Sequence, residues 1–122
     1  MEFELQNSRP IWQQLAEQLA RRIVTGVYPP GSRFPTVREL AADAGVNPNT
    51  MQRALGQLEN EGLVNTNRTA GRTVTEDVMV LEMMRKRLAE ELTEQYFSAM
   101  KELGFTRAQA AELAAAEKED ET

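Results

Sequence analysis

The chain has 122 residues, of which 41% are hydrophobic and 27% charged, and its formal net charge is −5. That size suits one small globular domain with a short appended element and excludes a large multidomain architecture. With no Cys and no His, disulfides, thiolate metal sites, a cysteine nucleophile and the commonest general base are all removed, so neither a metal nor a cofactor is expected.

Met1 runs straight into Glu2 and Glu4 without a basic, apolar leader, and no stretch approaches about 18 uninterrupted apolar residues. A soluble, cytoplasmic chain without a membrane partner is expected. Pro10 suits the first position of a helix, after which Ile11, Leu15, Leu19 and Ile23 recur every fourth residue, with Trp12 and Val24 widening the stripe. Gly26 is a plausible stop, and Tyr28-Pro29-Pro30-Gly31-Ser32 must cross as a loop, because two prolines and a glycine favour a turn.

Thr36-Val37-Arg38-Glu39 has the pattern of a capping box, in which the Thr36 hydroxyl and the Glu39 carboxylate each satisfy an orphan amide. The short helix it opens runs to about Ala44 and is stopped by Gly45. Asn47-Pro48 then supplies a cap followed by proline at the first helical position, so a further helix begins about three residues later. On that helix, about 48–61, Met51, Ala54, Leu55 and Leu58 share one face, leaving Asn49, Gln52, Arg53 and Gly56 on the other. Leu63 to Thr66 and Arg72 to Thr75 are short β-prone runs flanking Asn67 to Gly71, which predicts a hairpin with Arg68 and Arg72 near its tip.

From about Asp77, Leu81, Met84, Leu88, Leu92, Tyr96, Ala99 and Leu103 recur at helical spacing without a breaker, and Gly104 ends the run. Thr106-Arg107-Ala108-Gln109 opens a last Ala-rich helix that gives way to an acidic tail, Glu117 to Thr122, expected to be frayed. The apolar stripe is longer than the residues after Leu103 can cover, so a second copy of the chain is the economical cover. Leu81, Met84, Leu88, Leu92, Tyr96 and Leu103 are the expected dimerisation residues. Two parts follow: 1–75 and 76–122.

Helix, short helix, tight turn, helix and hairpin make a mainly α winged helix-turn-helix with a C-terminal helical dimerisation region. This order suits DNA, because the major groove admits one α-helix whose first turns approach base edges. Asn47, Asn49, Thr50, Gln52 and Arg53 occupy those turns. Asn and Gln amides match the adenine edge, and Arg matches guanine or a phosphate. Arg68 and Arg72 are phosphate or minor-groove candidates. The charge distribution agrees: residues 1–75 hold eight arginines against seven carboxylates, for +1, whereas the remainder sums to −6 and should face away from DNA.

These residues also carry a family resemblance. Val27-Tyr28-Pro29-Pro30-Gly31-Ser32-Arg33-Phe34-Pro35-Thr36-Val37-Arg38-Glu39-Leu40-Ala41 resembles the GntR-family signature. The run Gly45 to Leu55, then Leu58-Glu59-Asn60-Glu61-Gly62-Leu63-Val64, is similar to that family's recognition helix and its exit. The resemblance implies a sequence-specific transcription regulator, with repression the family's commoner mode, that binds a pseudo-palindromic double-stranded DNA operator as a homodimer. Arg38, Thr50 and Arg53 match family contact positions. Pro48 and Gln52 stand where many members have arginine, and the wing keeps one glycine where the family usually shows two, so base preference does not transfer.

Asn47-Pro48-Asn49-Thr50 resembles the YtrA-type subgroup, whose members end in two short helices. Any small-molecule effector would then have to occupy a dimer cleft near Tyr96, Phe97 and Phe105, where plain packing is the simpler expectation. The alternative is a winged-helix module that binds nucleic acid without sequence preference, or binds a protein. No enzyme is expected. Some relatives are fused to a domain that uses pyridoxal phosphate, for which this chain has no room.

Overall fold

A computed structural model describes residues 2–69 and 71–117; the expected frayed tail beyond Glu117 lies outside them. Among the described residues, five helices and one hairpin follow in order: α1 Ile11–Val24, α2 Val37–Ala44, α3 Pro48–Asn60, β1 Val64–Asn67, β2 Gly71–Val74, α4 Val78–Glu102 and α5 Arg107–Ala116. The chain forms two compact units, Met1–Arg85 and Lys86–Thr122, divided within α4.

In the first unit the core lies between α1, α2, α3 and the hairpin. Leu15, Leu19 and Ile23 from α1 meet Met51, Ala54, Leu55 and Leu58 from α3, with Leu40, Phe34, Leu63, Val64 and Val74 closing the remaining sides. Each helix start follows from its own residues. The Thr36 hydroxyl accepts from the Glu39 amide at 3.2 Å, and Asn47 Oδ1 accepts from the Asn49 amide at 2.8 Å, each satisfying a donor that the helix cannot. At α2 only the Thr36 half of the expected box forms, whereas Thr106 and Gln109 form both halves at α5. Pro10 stands just outside α1 as its cap residue rather than as its first residue. Gly45, at φ +68°, turns the chain from α2 towards α3 through a left-handed conformation that a side chain would strain.

The loop after α1 does more than cross. Val74 donates to Ser32 O at 2.9 Å and Phe34 donates to Arg72 O at 2.8 Å, so Ser32 to Phe34 lies against β2 through a single bridge, with Arg33 opposite Thr73. Gly31 donates to Val74 O at 2.9 Å, and a Cβ at Gly31 would run into the Glu76 carboxylate. The Pro-Gly run that signals a turn therefore also lays its backbone on the edge of β2, because a backbone next to an unpaired sheet edge satisfies its amides there.

Residues before α1 are fastened by two glutamines. Gln14 Oε1 accepts from Gln6 N at 2.8 Å, and Gln14 Nε2 donates to Gln6 O at 2.7 Å and to Arg9 O at 2.9 Å. One turn on, Gln18 exchanges the same pair with Glu4, at 3.0 and 2.6 Å. Residues four apart on a helix rise about 6 Å and residues two apart on an extended chain about 6.6 Å, so the two amides match alternate backbone positions. Gln14 is only 5% exposed, and this pairing is what makes its burial tolerable. Arg22, also buried, stacks 4.1 Å over Phe3 and donates to the Tyr28 hydroxyl at 3.1 Å. It joins the chain start to the loop rather than presenting its charge to solvent.

The wing is held to α3 by one carboxylate. Glu59 Oε1 accepts from Thr66 Oγ1 on β1 at 2.7 Å and from Arg72 Nε on β2 at 2.6 Å. The Thr66 hydroxyl, opposed by partial burial and assisted by the Arg72 guanidinium, holds the Glu59 carboxyl below its ordinary value of 4.5. A carboxylate whose pKa is depressed on folding stabilises the fold above its unfolded value, and that contribution is lost as pH falls through the folded value. Glu59→Gln should therefore destabilise the protein by about 1 kcal/mol at neutral pH. In urea denaturation followed against pH, the difference from wild type should persist at neutral pH and shrink below about pH 4; a difference independent of pH would show that the carboxylate charge is not the link.

Candidate nucleic-acid interface

α3 is divided sharply by exposure. Met51, Ala54, Leu55 and Leu58 are all 0% exposed, whereas Asn49, Gln52 and Arg53 are exposed and Thr50 and Gly56 half-exposed. The buried face carries all the packing, so the opposite face is free to meet a partner without loss of core. Gly56 lies in mid-helix where a Cβ would meet nothing within 4 Å. Nothing within the chain calls for glycine there, although alanine would favour the helix by about 1 kcal/mol.

The expected contact residues are not equivalent. Asn47 Oδ1 already accepts from the Asn49 amide at the α3 cap, which holds the side chain at the helix start, whereas a bidentate adenine contact needs both amide atoms turned to the base. Arg53 stacks 4.3 Å from the centroid of the Trp12 ring on α1. Arg38 is exposed in the first turn of α2. At the wing, Arg68 is exposed, in a tip where Asn67 Oδ1 accepts from the Thr69 amide at 3.0 Å and from its hydroxyl at 2.9 Å. Arg72 differs, because its side chain is 21% exposed and its Nε is held by Glu59. It is a strand residue fastened to α3, not a freely solvated tip residue.

Sequence reasoning missed Trp12 as a neighbour of Arg53 and Glu59 as the wing's anchor. Both pairings join residues distant along the chain, and neither leaves a local periodic signal. Among the described residues no group of His, Cys, Asp or Glu could hold a metal ion, and no helix is long and apolar enough to cross a membrane.

Within the second unit, the Tyr96 hydroxyl donates to Ala110 O at 2.6 Å, and Arg107 lies 4.2 Å over Phe97 while pairing with Glu94. Ala110 is 1% exposed. Of the expected dimerisation residues, Met84 and Leu88 are covered within the chain at 5% and 7% exposure, whereas Leu92 and Leu103 remain open at 50% and 73%. Leu81 and Tyr96 are half-buried. Phe97 and Phe105, the expected neighbourhood of any effector, line a cleft with Lys101 and Thr106.

Comparison with known proteins agrees with this arrangement. Residues 11–74 match the model of the bacterial regulatory proteins of the gntR family. An uncharacterized HTH-type transcriptional regulator of Bacillus subtilis, YhcF, is 37% identical over 107 residues, covering 88% of each chain. The HTH-type transcriptional repressor YtrA of the same organism is 27% identical over 106 residues, covering 82% of each. Among solved structures, a GntR family transcriptional regulator from Listeria monocytogenes superposes with a TM-score of 0.80 at 34% identity, over 93% of this chain and all of that one. The DNA-binding domain of AraR, solved in complex with operator ORX1, superposes with a TM-score of 0.52 at 26% identity, over 62% of this chain and 99% of that one. The winged helix-turn-helix, its helical C-terminal region and these relatives place the chain in the GntR family of transcriptional regulators, on its YtrA-like side, and not among enzymes.

Proposed function

We propose that this protein is a cytoplasmic repressor that binds a pseudo-palindromic DNA operator as a homodimer, with α3 in the major groove and the wing along the backbone. The observation that carries the proposal is the uncovered polar face of α3, Asn49, Gln52 and Arg53 around Gly56, set against a wholly buried opposite face. The operator complex of the AraR domain and the repressor name of YtrA support the reading. Arg38 on α2 and Arg68 at the wing are also exposed. They supply the phosphate contacts that fix register, while Thr50, Gln52 and Arg53 meet base edges.

Selection from a random duplex library with the purified protein tests this directly. An enriched inverted repeat, bound with an affinity that falls steeply with salt, is the expected outcome. On the selected duplex, Arg38→Ala, Thr50→Ala and Arg53→Ala should each weaken binding by about 1–3 kcal/mol with the fold intact by circular dichroism. Salt-sensitive binding without enrichment would instead identify a non-specific module.

Gly56→Ala separates stability from function. It should raise stability by about 0.5–1 kcal/mol in thermal denaturation, since helix propensity improves and no side chain is displaced. If the α3 backbone lies close to the duplex, the same methyl should weaken operator binding; unchanged affinity would place Gly56 away from the contact.

In the homodimer, Leu92 on α4 and Leu103 just after its end are the expected dimerisation residues that stay open for a second copy to cover. Leu92→Glu combined with Leu103→Glu should convert the dimer to a monomer in analytical ultracentrifugation. Affinity for the two-site operator should then fall by about a hundredfold or more towards that of a single half-site, because bivalency is lost. A double variant that still sediments as a dimer would move the interface elsewhere.

A further inference from the structure

We propose that Trp12 is a positioning residue for base recognition: its indole holds the Arg53 guanidinium in the orientation that reads a guanine edge, so that part of the base selectivity resides on α1. The inference rests on the placement of α3 in the major groove. It starts from a difference among three stacked arginines. Arg22 lies 4.1 Å over Phe3 but spends its N–H groups on the Tyr28 hydroxyl and on Glu2 O. Arg107 lies 4.2 Å over Phe97 and pairs with Glu94. Arg53 lies 4.3 Å over Trp12, and among the described residues no hydrogen bond or ion pair takes up its donors. The first two stacks close internal contacts; the third leaves its hydrogen-bonding edge open on the exposed face of α3.

The chemistry favours this use. A guanidinium is planar, so stacking occupies its face and leaves its N–H fork free in the plane, the geometry needed for the O6 and N7 acceptors of guanine. An exposed arginine on a helix otherwise samples many rotamers, and the freedom lost on binding subtracts from the contact. A ring within about 6 Å of the cation removes part of that cost beforehand. Trp12 is suited to the role because it sits in the first turn of α1, and α1 packs on α3 through the buried core, which keeps the ring at a fixed place beside Arg53. It is half-exposed where the neighbouring Leu15 is fully buried, so its ring serves the rim of the core as well as its packing. Lysine at position 53 would carry the charge without a plane to stack.

The full-length protein and the duplex enriched from the random library provide the test. Single base-pair substitutions are scanned for the one whose penalty disappears in Arg53→Ala; that pair is the one Arg53 reads. Trp12→Leu should reduce the penalty for substituting that pair about three- to tenfold, while affinity for a random-sequence duplex at the same salt changes less than about twofold. Trp12→Phe, which keeps a ring, should restore most of the penalty. Arg53→Lys, which leaves α1 untouched, should lose it. Loss of affinity for both duplexes alike in Trp12→Leu, or a full penalty retained in either Trp12→Leu or Arg53→Lys, would overturn the positioning role. If the wild type enriches no sequence, or Arg53→Ala alters no base-pair penalty, the groove reading itself fails, and the inference with it. Because Trp12 is the only tryptophan in the chain, its fluorescence in the free wild type and in Arg53→Ala reports the stack independently of DNA.

Discussion

A helix proposed to read DNA must leave a whole face uncovered, and everything that holds it has to come from the other side. α3 meets that constraint with four side chains, Met51, Ala54, Leu55 and Leu58, all fully buried against α1 and the adjoining core. Burying the three large ones, Met51, Leu55 and Leu58, contributes about 1.5–3 kcal/mol each, enough to hold a helix whose other face contributes nothing to the core. The neighbouring devices then set what that face presents. Asn47 fixes its start, Gly45 sets the angle of approach from α2, Trp12 steadies Arg53, and Glu59 joins its last turn to both strands of the wing.

That dependence explains which parts could be read from the sequence. The helices around Gly45 were legible because their signals are local: Thr36 and Asn47 cap amides two or three residues away, and the apolar spacing of α3 maps directly onto its buried face. The hairpin was legible for the same reason, with its strands displaced by about one residue from the β-prone runs. The bridge that Ser32 to Phe34 makes to β2 was hidden, because its partner edge is some forty residues away and Pro-Gly composition speaks only of a turn. Gln14 and Gln18 sit at helical positions that look like an ordinary polar face, and only the path of the preceding segment turns them into a fastening. Family resemblance supplied the role of the exposed arginines. It did not distinguish Arg72, held by Glu59, from Arg68, or indicate that Asn47 was already engaged.

The arginines of the first 75 residues illustrate how composition becomes function only through partners. Arg22 is internal, Arg9 pairs with Glu17, Arg72 pairs with Glu59, and Arg53 is stacked, while Arg21, Arg33, Arg38 and Arg68 are exposed. A count of eight arginines therefore overstates the charge offered to a polyanion, and the modest net charge of this region conceals how selectively it is placed.

The glutamine fastening of the N-terminal segment is built wholly from uncharged amides and backbone groups. Such bonds are indifferent to ionic strength and do not titrate, unlike the arginine contacts offered to a phosphate backbone. The two kinds of contact are thus insulated from each other. Salt concentrated enough to strip nucleic acid from the protein leaves the first residues seated against α1, and a washed molecule is already folded for its next encounter.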